Sequence, residues 1–489
     1  MTARAVGHPE RAREFLADPE RARFHDGTLW QIRSRRDQRA RGLPEWEALR
    51  ERAGQIKDHT LAELPRYLEQ FEAQARRHGA EVHYARDAAE HNRVVLDLLT
   101  ARGIERVVKS KSMLTEECGL NPWLERHGIE VTDTDLGELI VQLRNEPPSH
   151  IVLPAIHLRK EDVAQTFSAR LGAPALGDAQ QLTEFARGHL RAKFLAAGAG
   201  ITGVNFAIAE TGGVVVCTNE GNADLGTALP ALHIACMGLE KLIPRAADLG
   251  VFLRLLARSA TGQAITAYTS HYHGPRPGAE LHIVIVDNGR SRVRAEAAHR
   301  RALRCIRCGA CMNTCPVFRR SGGHSYETHV PGPIGSILAP LEEPGKHTTL
   351  PHACTLCGSC TAICPVGIDL HEQLLLLRRR DWSAPDTAED GASPRATALQ
   401  PGWRIGLLRA GAWLLARPAR MARLLAFARV LERRWPWLWR QLWRLGPLGE
   451  WARDREPPRL PPRSFHEQYQ RSRRLGNARA AALPPEGET

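Results

Sequence analysis

Eight cysteines fall into two runs of identical spacing: Cys305-x2-Cys308-x2-Cys311-x3-Cys315-Pro316 and, 49 residues on, Cys354-x2-Cys357-x2-Cys360-x3-Cys364-Pro365. This spacing suits a pair of [4Fe–4S] cubanes, the pattern of bacterial ferredoxins. Three cysteines in a tight loop reach three irons of one cubane, and the fourth, leaving on a helix, points toward the other cube. By that logic Cys305, Cys308, Cys311 and Cys364 hold one cluster, and Cys354, Cys357, Cys360 and Cys315 hold the second. Gly309 and Gly358 occupy matching places, where a small residue lets backbone N–H groups approach the sulfides and tune potential. A pair of zinc sites is the competing reading. Zinc favours two C-x2-C pairs per ion, or such pairs with His, whereas each run here adds a third Cys and a Cys-Pro.

Two clusters relay single electrons, so the chemistry must come from what lies at either end. A second polar cluster, Thr202-Gly203-x-Asn205-x4-Glu210-Thr211-Gly212 and then Thr218-Asn219-Glu220-Gly221-Asn222, crowds amide and carboxyl groups at strand ends and turns. Loops at strand ends are where α/β proteins place ligands. Asn205 and Glu210 are the candidate catalytic residues, with ordinary turn-forming and solvated roles as the alternative. Lys109, Ser110 and Lys111 follow a strand and either meet an anion at the next helix N-terminus or form a solvated lysine pair. His271-Tyr272-His273 has metal-like spacing but no carboxylate or Cys nearby in sequence. Cys118, Cys217 and Cys236, set among apolar residues, read as small core side chains. No GxGxxG, GxxxxGK[ST] or GxSxG is present, so neither a dinucleotide, a P-loop nor a nucleophile-elbow site is supported.

Five regions carry these residues. Residues 1–75 read as a helical segment, with Leu61, Leu64, Leu68 and Phe71 at the spacing of one amphipathic helix over 61–77. Residues 76–294 alternate strand and helix patterns and imply a largely parallel sheet. Asp87 and Ser112 stand where helix caps are needed, and strands are expected near 82–84, 106–109, 129–131, 150–153, 233–237 and 282–286. Residues 201–210 and 214–218 read as a hairpin, and 246–257 as a helix. Residues 295–382 form the cysteine module, whose 38-residue spacer resembles the helical ferredoxin modules of respiratory iron–sulfur subunits. Residues 383–401 read as a linker. Residues 402–489 are a Trp/Arg-rich segment ending in a stretch expected to be disordered.

The net charge of +13 is concentrated at the end of the chain. From Gly391 onward there are nineteen Arg, no Lys and seven acids, a balance of +12. A basic tail holding seven of the eleven Trp suits an interface or a membrane surface. Self-docking or subunit docking, docking on an electron-transfer partner, and membrane-surface contact all stay open. The near-neutral body argues against nucleic acid as a partner. The chain has no apolar run of membrane-spanning length and no secretory h-region, which places it in the cytoplasm.

Taken in order, VVKSKSMLTEE, GITGVNFAIAETGGVVVCTNEGN, CIRCGACMNTCPVF, CTLCGSCTAICPVGIDL and the Trp/Arg segment resemble the lactate utilization protein B family across nearly the whole chain. The resemblance implies an α/β lactate-utilization (LUD) domain, related in fold to ribose-5-phosphate isomerase, glucosamine-6-phosphate deaminase and CoA transferases, plus an α-helical two-cluster ferredoxin domain. It further implies an iron–sulfur subunit of a non-flavin L-lactate dehydrogenase complex. The partners would be a cysteine-rich subunit and a second subunit with a lone α/β domain of the same type. No catalytic residue carries over. Two rival functions remain: an α/β domain acting itself on a sugar phosphate or CoA ester, and clusters that are structural in an assembly scaffold.

Overall fold

A computed structural model describes residues 7–383, 402–444 and 459–481, with a few residues between the last two stretches. Residues 384–400, which hold nearly all of the expected linker, lie outside the described residues, as do 482–489. The chain divides into two compact units, 1–396 and 397–489.

The centre of the first unit is a six-stranded sheet. Its strands are β1 (Glu81–Ala85), β2 (Arg106–Lys109), β3 (Glu130–Asp133), β4 (Ala199–Gly203), β7 (Leu232–Gly238) and β10 (Glu280–Val286), in the order β1-β10-β7-β4-β2-β3. Every pairing is parallel. Strands β7 and β10 are almost wholly buried, which explains why they read as continuous apolar runs without alternation. Helices cross between strands as a parallel sheet requires. Asp87 caps Ala88–Thr100 by accepting the Glu90 N–H, and Ser112 caps Met113–Glu117 by accepting that of Thr115.

A second sheet, β8-β5-β6-β9, combines β5 (Phe206–Ile208), β6 (Gly213–Thr218), β8 (Leu242–Ile243) and β9 (Tyr268–Tyr272). The expected hairpin is present as the antiparallel pair β5–β6. Its first strand, however, is not one strand over 201–210. It breaks at Val204-Asn205, and the chain passes from the parallel sheet into the second one. Asn205 makes the break tolerable: its backbone N–H donates to Val215 O at 2.9 Å and its Oδ1 accepts from Cys217 N at 2.8 Å.

Two further expectations change for local reasons. His150-Ile151-Val152-Leu153 is a bend, because the His150 ring takes the backbone: its Nδ1 accepts from Val152 N at 3.0 Å and Leu153 N at 3.1 Å. Side-chain capture of this kind competes with ladder formation. The helix expected over 61–77 is two, Trp46–Ala62 and Leu64–Arg77. Pro65 lacks an N–H and sits in the first turn of a new helix, so the earlier one ends at Ala62 and Leu61 belongs to it.

The N-terminal helices His8–Leu16 and Pro19–Arg41 pack on the short helices Ala310–Thr314 and Pro316–Ser321 of the cysteine module. Arginines fasten this collar to cysteine-loop carbonyls. Arg36 Nη2 donates to Ile363 O at 2.9 Å and Arg50 Nε to Cys364 O at 2.8 Å, and from the cysteine module Arg304 Nε donates to Asp58 Oδ1 at 2.6 Å.

In the second unit, Gly402–Leu415 and Pro418–Arg434 form a helical hairpin, followed by Pro436–Leu442. Pro418 and Pro436 stand at the first positions of their helices, where a missing N–H costs nothing. Phe465–Ala481 is helical, which corrects the expectation of disorder over that stretch. Among the described residues no helix is long and apolar enough to cross a membrane.

Candidate functional site

The two cysteine runs fold alike, residue for residue. Arg307 and Leu356 both take positive φ, +58° and +55°, and Gly309 and Gly358 take +74° and +76°. The left-handed turns aim backbone N–H groups at sulfur: Arg307 N lies 3.4 Å from Cys305 Sγ and Leu356 N lies 3.2 Å from Cys354 Sγ. After the fourth cysteines, Phe318 N lies 3.5 Å from Cys315 Sγ and Ile368 N lies 3.4 Å from Cys364 Sγ. A non-glycine residue at positive φ is uncommon and costs energy, and nothing in the sequence marks Arg307 or Leu356 for it.

Cys305, Cys308, Cys311 and Cys364 line one small cavity. Cys315 has Cys354 and Cys357 as its cysteine neighbours, and Cys360 has Cys315, Cys354 and Cys357. Burial pushes Cys308 and Cys360 up to about 12 and Cys315 up to about 11. Such thiols become thiolates only beside a strong positive charge, which bound iron supplies. Single tetrahedral zinc ions would need sulfurs about 3.8 Å apart, from Zn–S bonds of about 2.3 Å. Among the described residues no three cysteine sulfurs lie within 4.8 Å of one another. The donor set therefore fits cubanes, with sulfurs wider apart and backbone N–H groups turned toward them.

A second, larger cavity of about 710 Å³ opens at the carboxyl ends of β2, β4 and β7. This is the ligand-binding end of a parallel sheet. The polar cluster from the sequence comes together here only in part. Gly203, Asn205, Thr218, Asn219, Glu220 and Asn222 line the cavity. Glu210 does not: its Oε2 accepts the Ala246 N–H at 2.8 Å, at the start of helix Ala246–Ala260. It serves a helix end, which removes it as a catalytic candidate.

Lys109 is neither an anion site nor a solvated residue. It is fully buried, with Nζ 2.7 Å from Asp133 Oδ1 and 3.0 Å from Glu116 Oε1. These carboxylates outweigh burial and hold the ammonium well above the usual lysine range. The buried Ser110 hydroxyl does not reach the cavity. Lys111 does, with Nζ 2.5 Å from Asp135 Oδ2 and 3.1 Å from Val152 O. Cys118 and Cys236 are buried as expected, and Cys217 and Cys236 face the cavity. Among the described residues His271 and His273 belong to no cluster of metal-ligating side chains.

The deepest wall of the cavity carries residues that sequence patterns did not single out. Arg290 donates to Glu117 Oε1 at 2.7 Å and to Glu240 Oε2 at 2.5 Å. Arg307 Nη2 stands 3.9 Å from Glu240 Oε1. Burial raises and Arg290 lowers the Glu240 carboxyl, which settles at about 2. Lys241, Arg307 and Cys308 also line this wall. The cavity of the α/β domain and the first cysteine loop thus share residues.

An α/β sheet domain with its cleft abutting a ferredoxin-like cysteine module defines the class. The LUD domain family model matches residues 68–294, and the 4Fe-4S dicluster domain model matches residues 301–368. The chain belongs to the lactate utilization protein B family. It is 46% identical over 373 residues to "Lactate utilization protein B" of Shouchella clausii, covering 74% of this chain and 77% of that one. The Bacillus cereus protein of that name is 38% identical over 89% of this chain and 90% of its own. "Uncharacterized electron transport protein YkgF" of Escherichia coli is 42% identical over 83% of this chain and 88% of its own.

Proposed function

We propose that this chain is the cytoplasmic iron–sulfur electron-transfer subunit of a complex that oxidises L-lactate to pyruvate. Cys305, Cys308, Cys311 and Cys364 hold one [4Fe–4S] cluster, and Cys354, Cys357, Cys360 and Cys315 hold the other. When bound, the clusters supply one-electron transfer. The chain's own contribution is to aim the N–H groups of Arg307 and Leu356 at cysteine sulfur and to bury Cys308, Cys315, Cys360 and Cys364, while Cys357 stays exposed.

One observation carries the reading: Arg307 and Cys308 line the α/β cavity while Cys308 also lines the cavity of the first cysteine set. A ligand in the cleft would stand beside the first cluster, as an electron relay requires. The names of the relatives supply lactate and electron transport. The partners are a cysteine-rich subunit and a second subunit with a lone LUD-type domain. The basic, Trp-rich second unit is their docking element or a contact with the membrane surface.

The test is to purify the chain anaerobically with those two partners and add L-lactate. Bleaching of the cluster absorbance and a reduced-cluster electron paramagnetic resonance (EPR) signal are expected. Clusters that stay oxidised would remove the assignment.

A further inference from the structure

We propose that Lys241 and Arg307 form the seat for the carboxylate of a 2-hydroxy or 2-oxo monocarboxylic acid, against the first cysteine loop. The class of acid rests on the function proposed above; the position rests on the cavity itself.

The deep wall holds three cations, Lys241, Arg290 and Arg307, and two carboxylates, Glu117 and Glu240. Arg290 engages both carboxylates directly. Lys241 is half-buried and, among the described residues, makes no hydrogen bond and no ion pair; burial presses its ammonium below the usual lysine range against the pull of the Glu240 carboxylate. Arg307 is buried, its Nη1 has no hydrogen-bond partner, and its nearest carboxylate oxygen is 3.9 Å away. A buried guanidinium nitrogen is rarely left without a partner, because the desolvation cost goes uncompensated. A planar guanidinium with an unpartnered Nη1, on the same wall as a lysine ammonium, suits the two oxygens of a carboxylate.

Donors for the oxygen at C2 are also present. Asn205 spends its Oδ1 on Cys217 N, and among the described residues its Nδ2 is unengaged. The Ser112 hydroxyl accepts from Thr115 N, which leaves its proton free to donate. Both residues line the same cavity. Apolar walls from Leu153 and Leu256 complete a lining suited to an organic acid.

The experiment uses the full chain, purified anaerobically with its iron, and oxamate, a 2-oxo acid analogue that cannot be oxidised to a 2-oxo acid. Calorimetry should show saturable binding of one oxamate per chain. Lys241→Met should weaken it about tenfold or more, and Lys241→Arg should retain it within about threefold, both at unchanged iron content. The EPR spectrum of the reduced chain should change on adding oxamate to the wild type and not to Lys241→Met. No binding by the wild type, or equal binding by Lys241→Met, overturns the proposal. So does a Lys241→Met chain whose cluster potential shifts while oxamate binding holds, since its charge would then serve the cluster. Two results separate this seat from the function. If lactate still reduces the clusters of the full complex but oxamate does not bind, only the seat fails. If oxamate binds through Lys241 but lactate reduces nothing in the complex, only the function fails.

Discussion

A β-carbon placed on Gly309 would stand 3.0 Å from Cε1 of His150, on the bend that lines the α/β cavity. The equivalent position in the second run, Gly358, has open space around it. Both glycines have positive φ, so alanine is strained by about 1 kcal/mol at either. Only at Gly309 must a buried neighbour also move, and His150 is fixed by Val152 N, Leu153 N and Asn313 Oδ1. Gly309→Ala is therefore expected to lose iron and thermal stability more than Gly358→Ala. Iron analysis and melting curves on the two anaerobically purified variants decide it; equal losses would mean that the His150 contact has no consequence.

The neighbourhoods of the fourth cysteines lead to a crossed outcome. Cys364 lines the cavity of Cys305, Cys308 and Cys311, and Cys315 neighbours Cys354 and Cys357. Cys364→Ser should perturb the cluster of the first run, and Cys315→Ser that of the second. EPR of each reduced variant, compared with Cys305→Ser and Cys354→Ser, reads which signal is altered. Agreement of Cys364→Ser with Cys354→Ser, not with Cys305→Ser, would refute the crossing.

Lys109 is a structural cation. Lys109→Met would leave Asp133 beside Glu116 and Glu138 without the ammonium that balances them. Removing one partner of a buried ion group typically costs about 3–5 kcal/mol. A fall of that size in unfolding free energy by denaturant titration is expected. A variant as stable as the wild type would show that the carboxyls absorb the loss by taking up protons.

Glu342 gives stability a pH dependence. Burial and the nearby Glu117 carboxylate push its carboxyl up to about 7, against an ordinary 4.5. Between those values the native chain keeps a proton that the unfolded chain has released. Its contribution to stability is thus full below about 4.5 and is lost as pH rises to about 7. His329, 3.7 Å from Glu342 Oε2, is held neutral down to about 4 by burial and adds nothing above its ordinary 6.5. As pH rises from about 5 to about 7.5 the wild type should lose stability relative to Glu342→Gln, whatever the buried histidines common to both add. Parallel denaturant midpoints for the two proteins over that range would contradict the assignment.

Much of this molecule was legible in the chain itself. Cysteine spacing implies cubanes because a loop of fixed length meets a cube of fixed size. Asp87 and Ser112 announced their helices because caps act within one turn. The buried strands β7 and β10 and the hairpin β5–β6 followed from runs and turns a few residues long. Local rules also misled where a side chain took over the backbone. His150 bends an apolar run that reads as a strand, and Asn205 breaks one strand into two that serve different sheets.

What only the tertiary structure decided is who stands beside whom. Lys109 and Lys111 are two residues apart, yet one is enclosed by carboxylates and the other faces a cavity, because Lys109 is the last residue of β2 while Lys111 lies past the strand's end, where the chain turns into the helix capped by Ser112. Glu210 and Asn205 read as one polar cluster and part company when the chain changes sheets. Lys241, Arg290 and Arg307 share no motif; β7, the turn after β10 and the first cysteine loop bring them together. Short-range chemistry is written in spacing, but a charge balance is set by three-dimensional neighbours, and those exist only once the α/β sheet and the cysteine module are packed together.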